Sequence, residues 1–556
     1  MGSSMSRQRR RAARRHGQTL LDLPMEVQVK ILCYLDTGDL VACRSVCRTL
    51  LTICNDEMAV QYTSTLGGAG MVDDVPPQPP QDVSLRARYV AILKYLIAWK
   101  NVDNIPHRIH TPTQGEIFLE HTNGVSVYAI PAHPALKLHR PGSQLTLLPE
   151  LTFSCTAWNF VLETRMLSRA RYTVDLSQDL LIISLRVEGQ EENINEHHFF
   201  SIFGDQYPHP QAASSVFRAP CSHGRIAQYA PGSDQEDYVD VLSDLVVWGH
   251  YSRTSEKFSA TACMEVQVTN WKTGAVVWRY KTNRVTCYYL IDRHHIVLIL
   301  NNSIHVFSFD PDRHASQGPP AYTRPGAHLL HLQLPRLEFR AQLGDTTALL
   351  RIPRPHPADR PLFRQDPGAA LLALIMTVNT LEPWWSSRDT ISHLTILVPL
   401  STIRTHIGHT GARILRTPAL PWQDWGPGGA RVVRTHEVLP WHIALHGSRC
   451  VLTNDTILEH VLVIDAHRWV RQAGPGLVRC KLLITEKDVD ASDVVTFVTE
   501  RSFVDRRKPI EKKTEQIEGR FPCRLMYEPI WGVPALRWKT TFATDEEVVL
   551  VCTQIE

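Results

Sequence analysis

From about residue 110 to its end the chain alternates short apolar, β-prone runs with turn signals. The runs are Val125 to Ile130 (VSVYAI), Leu180 to Leu185 (LLIISL), Asp244 to Trp248 (DLVVW), His295 to Leu300 (HIVLIL), Ile304 to Phe309 (IHVFSF), Leu394 to Leu400 (LTILVPL), His460 to Ile464 (HVLVI) and Val548 to Thr553 (VVLVCT). Runs of this length between turn residues predict an all-β region. The period upstream is different. Residues 19–65 and 83–100 carry apolar side chains at helical spacing, and in the second stretch Val90, Leu93 and Ile97, with Leu96 on the shoulder, form the expected inward stripe. Between them Gly67, Gly68, Gly70, Pro76, Pro77, Pro79 and Pro80 break the pattern, which predicts a loop or linker. Residues 1–18 are polar and Arg-rich without apolar periodicity and read as disordered.

A weak internal repeat runs through the β-prone region. Asp175 to Leu185 reads DLSQDLLIISL, Asp240 to Trp248 reads DVLSDLVVW and Asp292 to Leu300 reads DRHHIVLIL, each a turn-type Asp segment leading into an apolar strand. Met264 to Arg279 (MEVQVTNWKTGAVVWR) adds a hairpin closed by Asn-Trp-Lys-Thr-Gly. Repeated units of this kind are how propeller blades read. Polar insertions at 309–328, 351–368 and 417–431 interrupt the repeat, which is too eroded for the blades to be counted. The expected fold class is α+β multidomain, an N-terminal helical module followed by a large all-β, propeller-like domain, with a pair of β-sandwiches as the fallback. The expected boundaries are a tail at 1–18, a helical module at 19–65, a linker with one helix at 66–105 and a β-rich domain at 106–556.

Composition narrows the class. The chain has 556 residues, 43% hydrophobic and 21% charged, with a net charge of +3, which fits an ordinary globular protein and gives no argument for specific nucleic-acid binding. Twelve scattered cysteines without a CxxC pair suggest neither a disulfide framework nor a zinc site. Cys43 and Cys47, one helical turn apart, read as small buried hydrophobes. The most apolar run, Ala369 to Val378, is too short to span a bilayer.

The informative segment is Leu20 to Asn55. Asp22 is placed to cap a helix starting near Pro24, on which Val27, Ile31 and Leu35 recur at i, i+4 and i+8. After Asp36-Thr37-Gly38-Asp39, with Asp39 as the expected cap, Leu40, Cys43, Cys47, Leu50 and Cys54 line a second helix. Two such helices offer more apolar surface than about forty residues can hide, which calls for a partner. The string Leu23-Pro24-x-Glu26-Val27-x-x-x-Ile31-Leu32-x-x-Leu35-x-x-x-Asp39-Leu40-x-x-x-Arg44-x-Val46-Cys47-Arg48 resembles the F-box motif. The family often carries Trp shortly after Val-Cys-Arg; this chain has Thr49, Leu50 and Leu51. Gln61-Tyr62, the Gly67 to Asp73 segment and Ala98-Trp99-Lys100 resemble, more loosely, a group of fungal F-box proteins with a divergent β-rich C-terminal domain.

The resemblance implies a substrate adaptor of an SCF-type (Skp–cullin–F-box) ubiquitin ligase. The partners it implies are an Skp-type adaptor, through it a cullin–RING ligase, and a target protein held by the β domain. The contact residues it implies are Leu23, Pro24, Ile31, Leu32, Leu35, Leu40, Val46, Cys47 and Leu50. No cofactor, metal or catalytic residue is expected. The chain shows no GxSxG, GxxxxGK[ST], HExxH or GxGxxG. An F-box protein acting outside a ligase, or a ligand-binding or enzymatic propeller carrying an F-box, are the other classes. The expected location is the nucleus or cytoplasm. Met1-Gly2-x-x-x-Ser6 matches a myristoylation pattern and the following arginines a nuclear import signal, but a plain solvated tail is the leading reading. The His197-His198 and His294-His295 pairs and His107-x-x-His110 read as ordinary histidines, and Trp384, Trp385, Trp422 and Trp425 as packing between blades rather than binding anchors.

Overall fold

The computed structural model describes residues 19–73, 83–100, 107–110, 116–130, 135–143, 150–156, 170–188, 193–221, 239–253, 262–282, 285–300, 303–324, 326–335, 341–352, 361–380, 390–410, 418–435, 442–453, 460–465, 495–498, 502–503, 518–519, 523–529, 537–543 and 548–553. The Arg-rich start and the Trp384-Trp385 pair lie outside the described residues.

The chain opens with four short helices: α1 (Met25–Leu32), α2 (Thr37–Val46), α3 (Arg48–Asp56) and α4 (Met58–Gly68). Their entry differs from the sequence expectation. Asp22 does not cap α1; it closes a preceding single turn (Leu20–Asp22) by accepting from the amide and hydroxyl of Thr19, both at 2.8 Å. Asp39 does not cap the next helix either. Asp36 does, accepting from the Asp39 amide at 2.8 Å, and Asp39 occupies the first helical turn. The single helix expected after Leu40 is two helices, because Cys47 is extended (φ −159°, ψ 164°) and turns the chain.

Helix α4 runs through Gly67 and Gly68, where the sequence suggested a break. A Cβ on Gly67 would fall 2.0 Å from Thr37 Oγ1, so a side chain there forces the hydroxyl of Thr37, at the buried start of α2, out of its place. Gly67→Ala is therefore expected to destabilise the helical module by about 1–3 kcal/mol, opposite to the usual gain of an alanine in an open helix. Thermal melts of the two proteins check the sign.

Helix α5 (Leu85–Lys100) follows. Among its described side chains Ile92 and Tyr95 are buried, both 0% exposed, whereas Val90, Leu93 and Ile97 face solvent at 43%, 36% and 57%. The expected stripe is thus the outer face. Apolar residues occupy both faces of this helix, so periodicity alone selects neither.

Five four-stranded antiparallel sheets then follow in chain order. Blade 1 comprises Ile117–Thr122, Val125–Ile130, Ala135–Arg140 and Leu151–Cys155. Blade 2 comprises Arg171–Asp175, Leu180–Glu188, Asn193–Ser201 and Val216–Cys221. Blade 3 comprises Val239–Leu242, Leu245–Arg253, Ala262–Asn270 and Val276–Thr282. Blade 4 comprises Val285–Leu290, His295–Leu300, Ser303–Ser308 and Leu330–Gln333. Blade 5 comprises Ala341–Leu350, Leu371–Thr380, Thr390–Pro399 and Arg431–Thr435. The first strand of each blade lies against the first strand of the next. Hydrogen bonds step between these strands: Tyr172 N donates to Glu120 (2.9 Å), Thr173 Oγ1 to the Val239 carbonyl (2.9 Å), Leu290 N to Asp240 (3.0 Å) and Ala348 N to Cys287 Sγ (3.2 Å). Four apolar cores sit in the four gaps between successive blades. This is a β-propeller-like arrangement.

The three Asp-strand units of the sequence occupy one position, the turn from first to second strand of blades 2, 3 and 4. The second strands open on largely apolar runs because both faces are buried there. Leu181, Ile183 and Leu185 meet blade 1, while Leu180 and Ile182 meet blade 3. Trp271, in the Asn-Trp-Lys-Thr-Gly turn, stacks on Phe199 of blade 2 at 6.0 Å and 8°. Trp422 and Trp425 are also interior, on a helix (Trp422–Gly429) that fills the core between blades 4 and 5, where the sequence suggested a polar insertion.

Beyond blade 5 lies a five-stranded sheet with His442–His446 at its edge. The strand His107–His110 pairs in parallel with Val548–Thr553, joining the two ends of the β region. No described helix is long and apolar enough to cross a membrane.

The histidine pairs of the sequence find ordinary partners. His197 meets Ser184 at 2.9 Å, His198 meets Tyr207 and Glu196 at 3.0 and 3.1 Å, and His295 meets Asp292 at 2.8 Å. Burial pushes the His198 and His209 imidazoles below their ordinary value, against the opposing pull of Glu196 on the first and Asp179 on the second. Both are almost fully buried, at 5% and 3% exposed. The unfolded chain therefore takes up protons first as pH falls. Their contribution is complete above about pH 6.5 and is lost as pH drops below it, by up to about 1.4 kcal/mol per pH unit for each histidine that stays neutral. Melting temperatures at pH 7.5 and 5.5 should show the lower stability at the acid end, and equal values would contradict the assignment.

Candidate adaptor-docking surface

The helical module closes its own core before it offers a surface. Leu32, Leu40, Leu50, Ile53, Cys54 and Val60 form that core, with Leu20, Val29, Cys33, Leu35, Cys43 and Cys47 packed against it. Gln28, 6% exposed, ties α1 to the preceding turn by donating to the Leu23 carbonyl at 2.7 Å. Burial raises the Cys33, Cys43 and Cys54 thiols, so these cysteines behave as small apolar groups and not as thiolate ligands.

The nine residues implied by the motif divide between the two sides of this shell. Leu32, Leu40 and Leu50 are interior at 0%, 1% and 5% exposed, and Leu35 and Cys47 are half-buried against them. Leu23 is half-buried, Pro24 is exposed, Ile31 is 36% exposed and Val46 is 71% exposed. The outward side is wider than the motif indicated. Met25, Val27, Tyr34 and Leu51 stand at 47%, 41%, 82% and 40% exposed.

Helical geometry accounts for the division. On α1, Gln28 and Leu32 point in at i and i+4, which leaves Val27, Ile31 and Tyr34 on the outer face at i, i+4 and i+7. The stripe Val27–Ile31 read from the sequence is thus an outward stripe. Met25 stands at the start of the helix, off the Val27–Ile31 stripe, and Tyr34 lies two residues past its end, so periodicity singles out neither.

The helices that carry the surface are joined to the propeller by strand pairing and side-chain contacts. The strand Met71–Asp73 pairs antiparallel with Phe363–Gln365, and the Asp366 amide donates to the Gly70 carbonyl at 2.9 Å. Tyr95 of α5 meets Phe363 edge-on at 5.8 Å and 76°, accepts a hydrogen bond from Gln365 Nε2 at 3.1 Å, and lies under the Arg449 guanidinium at 5.0 Å. Arg88 bridges to Asp73 at 2.6 Å and lies over the Tyr62 ring at 5.3 Å, joining α5 to α4. Burial raises the Tyr62 phenol, with Asp73 adding to the effect, so it stays neutral.

The F-box-like family model matches residues 20–60. No curated protein matches the chain. The matched span begins at the turn before α1 and ends just inside α4, so it coincides with the closed helical shell and its outward apolar face. Residues 20–60 are an F-box-like domain, carried ahead of a β-propeller-like region in which the described residues form five four-stranded blades.

Proposed function

We propose that the chain is the substrate-recruiting adaptor of an SCF-type ubiquitin ligase. In this role the F-box-like domain docks an Skp-type adaptor, and the propeller holds a target protein. The observation that carries the reading is the outward apolar face at residues 24–51, present on a module whose core is already complete without it. Soluble domains seldom leave such a face open without a partner. Pro24, Ile31 and Val46, with Met25, Val27, Tyr34 and Leu51, would carry the contact; Leu32, Leu40 and Leu50 would shape it from within.

The mechanism is proximity. A target bound to the propeller is held near the ligase, because the strand pairing at 71–73 and the packing of Tyr95 on Phe363 tie the helices to the propeller. Holding the target lysine in this way raises its effective concentration at the ligase without a catalytic residue in this chain. The free thiols at Cys33, Cys43, Cys47, Cys54, Cys155, Cys287 and Cys450 support action in a reducing compartment, the nucleus or cytoplasm.

Size-exclusion chromatography of the purified chain with an Skp-type adaptor and a cullin tests the role. One peak holding all three is expected. Binding of the adaptor with exclusion of the cullin would sink the ligase role, and failure to bind the adaptor would sink the reading altogether.

A further inference from the structure

Three histidines converge on the outer edge of blade 4. His305, on the third strand, stands directly opposite His331, on the fourth. His328 comes two residues before that fourth strand, whose entry is pinned by a hydrogen bond from the Leu329 amide to the Val306 carbonyl at 2.8 Å. The rings of His305 and His331 stack with centroids 4.1 Å apart. His328 is 5.0 Å from each and nearly perpendicular, at 81° and 76°. One ring nitrogen from each histidine lies within 4.8 Å of the other two, and all three residues are half-buried.

We propose that His305, His328 and His331 form a site for a divalent transition-metal ion of the zinc class. Three imidazole nitrogens suit Zn²⁺, Co²⁺, Ni²⁺ or Cu²⁺ and not the hard oxygen-seeking Ca²⁺ or Mg²⁺. On a tetrahedral zinc, with Zn–N of about 2.0–2.1 Å, ligand atoms lie about 3.3 Å apart, so modest turns of the rings close the site. Water would take the fourth position. Ser303 Oγ, 2.8 Å from His305 Nε2, is an outer contact of the kind that orients a ligating imidazole, and the Phe307 ring flanks His305 and His328 at 6.3 and 6.4 Å. A bound ion would clasp the insertion at 309–328 and the short fourth strand to the body of the blade. This site is independent of the docking surface and of the ligase role.

The test uses the full chain freed of metal by chelation, with Co²⁺ and then Zn²⁺ as probes, followed by visible absorption and calorimetry. The chain has 26 histidines, so the decisive quantity is the difference from variants. The wild type should bind one equivalent with the intense visible absorption of tetrahedral cobalt, displaced by zinc. His328→Ala, which lies outside the strands, and His331→Gln should each lose that equivalent or weaken it at least a hundredfold while melting like the metal-free wild type. A wild type that binds no such equivalent, or variants that retain it at equal affinity, would overturn the proposal. So would weak octahedral cobalt absorption alone, and the three rings would then be a packed cross-strand cluster.

Discussion

A chain carrying Ile31→Asp and Val46→Asp is expected to bind an Skp-type adaptor at least a hundredfold more weakly than the wild type while keeping its fold. Both side chains are exposed in the isolated chain, at 36% and 71%. Exposed substitutions of this kind change stability by roughly 0.5 kcal/mol, with up to about 1 kcal/mol more where a carboxylate sits in a last helical turn, as both would here. In a complex the balance reverses. Each apolar side chain contributes about 1.5–3 kcal/mol when buried, and a carboxylate forced into the same place adds an unpaired charge. Two such losses exceed about 3 kcal/mol, which is more than a hundredfold in affinity. Leu40→Asp is the contrasting variant. Leu40 is 1% exposed in the core of the module, so it should abolish binding by unfolding the helices, visible as lost helical signal. Calorimetric titration separates the two cases, and unchanged affinity in the double variant would remove this face from the contact.

The largest expected stability loss lies at the joint between the helices and the propeller. Tyr95→Ala should lower stability by about 3–5 kcal/mol, the usual cost of deleting a buried aromatic ring. Tyr95 is 0% exposed, and the substitution removes an edge contact with Phe363, an acceptor for Gln365 and the surface beneath Arg449. Tyr95→Phe keeps the ring and loses only the hydroxyl, at about 0.5–1.5 kcal/mol. Limited proteolysis adds a spatial readout. Cleavage of the Tyr95→Ala chain should separate the helical module from an intact propeller. A drop below about 1 kcal/mol, with no new cleavage, would mean that the strand pairing at 71–73 holds the two parts by itself.

How much of this was legible in the sequence varied with the physics behind each element. Second strands such as Leu180–Glu188 stood out because neighbouring blades bury both faces of their first residues, Leu180 to Ile183, giving a short apolar run. The Asp turns stood out because they recur at one place in three blades. The blade number did not, because fourth strands such as Leu330–Gln333 are short and follow long insertions. In the helical module the motif revealed itself through residue identities, and the structure supplied orientation. Leu32 and Ile31 are equally apolar neighbours, yet one is core and the other surface. The buried face of α5 was misread because Ile92 and Tyr95 are covered from elsewhere in the chain; Gln365, 270 residues from Tyr95, bonds to its hydroxyl. The histidine cluster was invisible for a similar reason, since only strand register places His305 opposite His331.

The measurement that tests the central claim most directly is affinity purification of the tagged chain from cells, wild type beside Ile31→Asp/Val46→Asp, with mass spectrometry of what co-elutes. An Skp-type adaptor and a cullin should accompany the wild type and vanish from the double variant, while proteins bound by the propeller remain with both. An adaptor recovered equally with both forms, or with neither of two well-folded forms, would contradict the account.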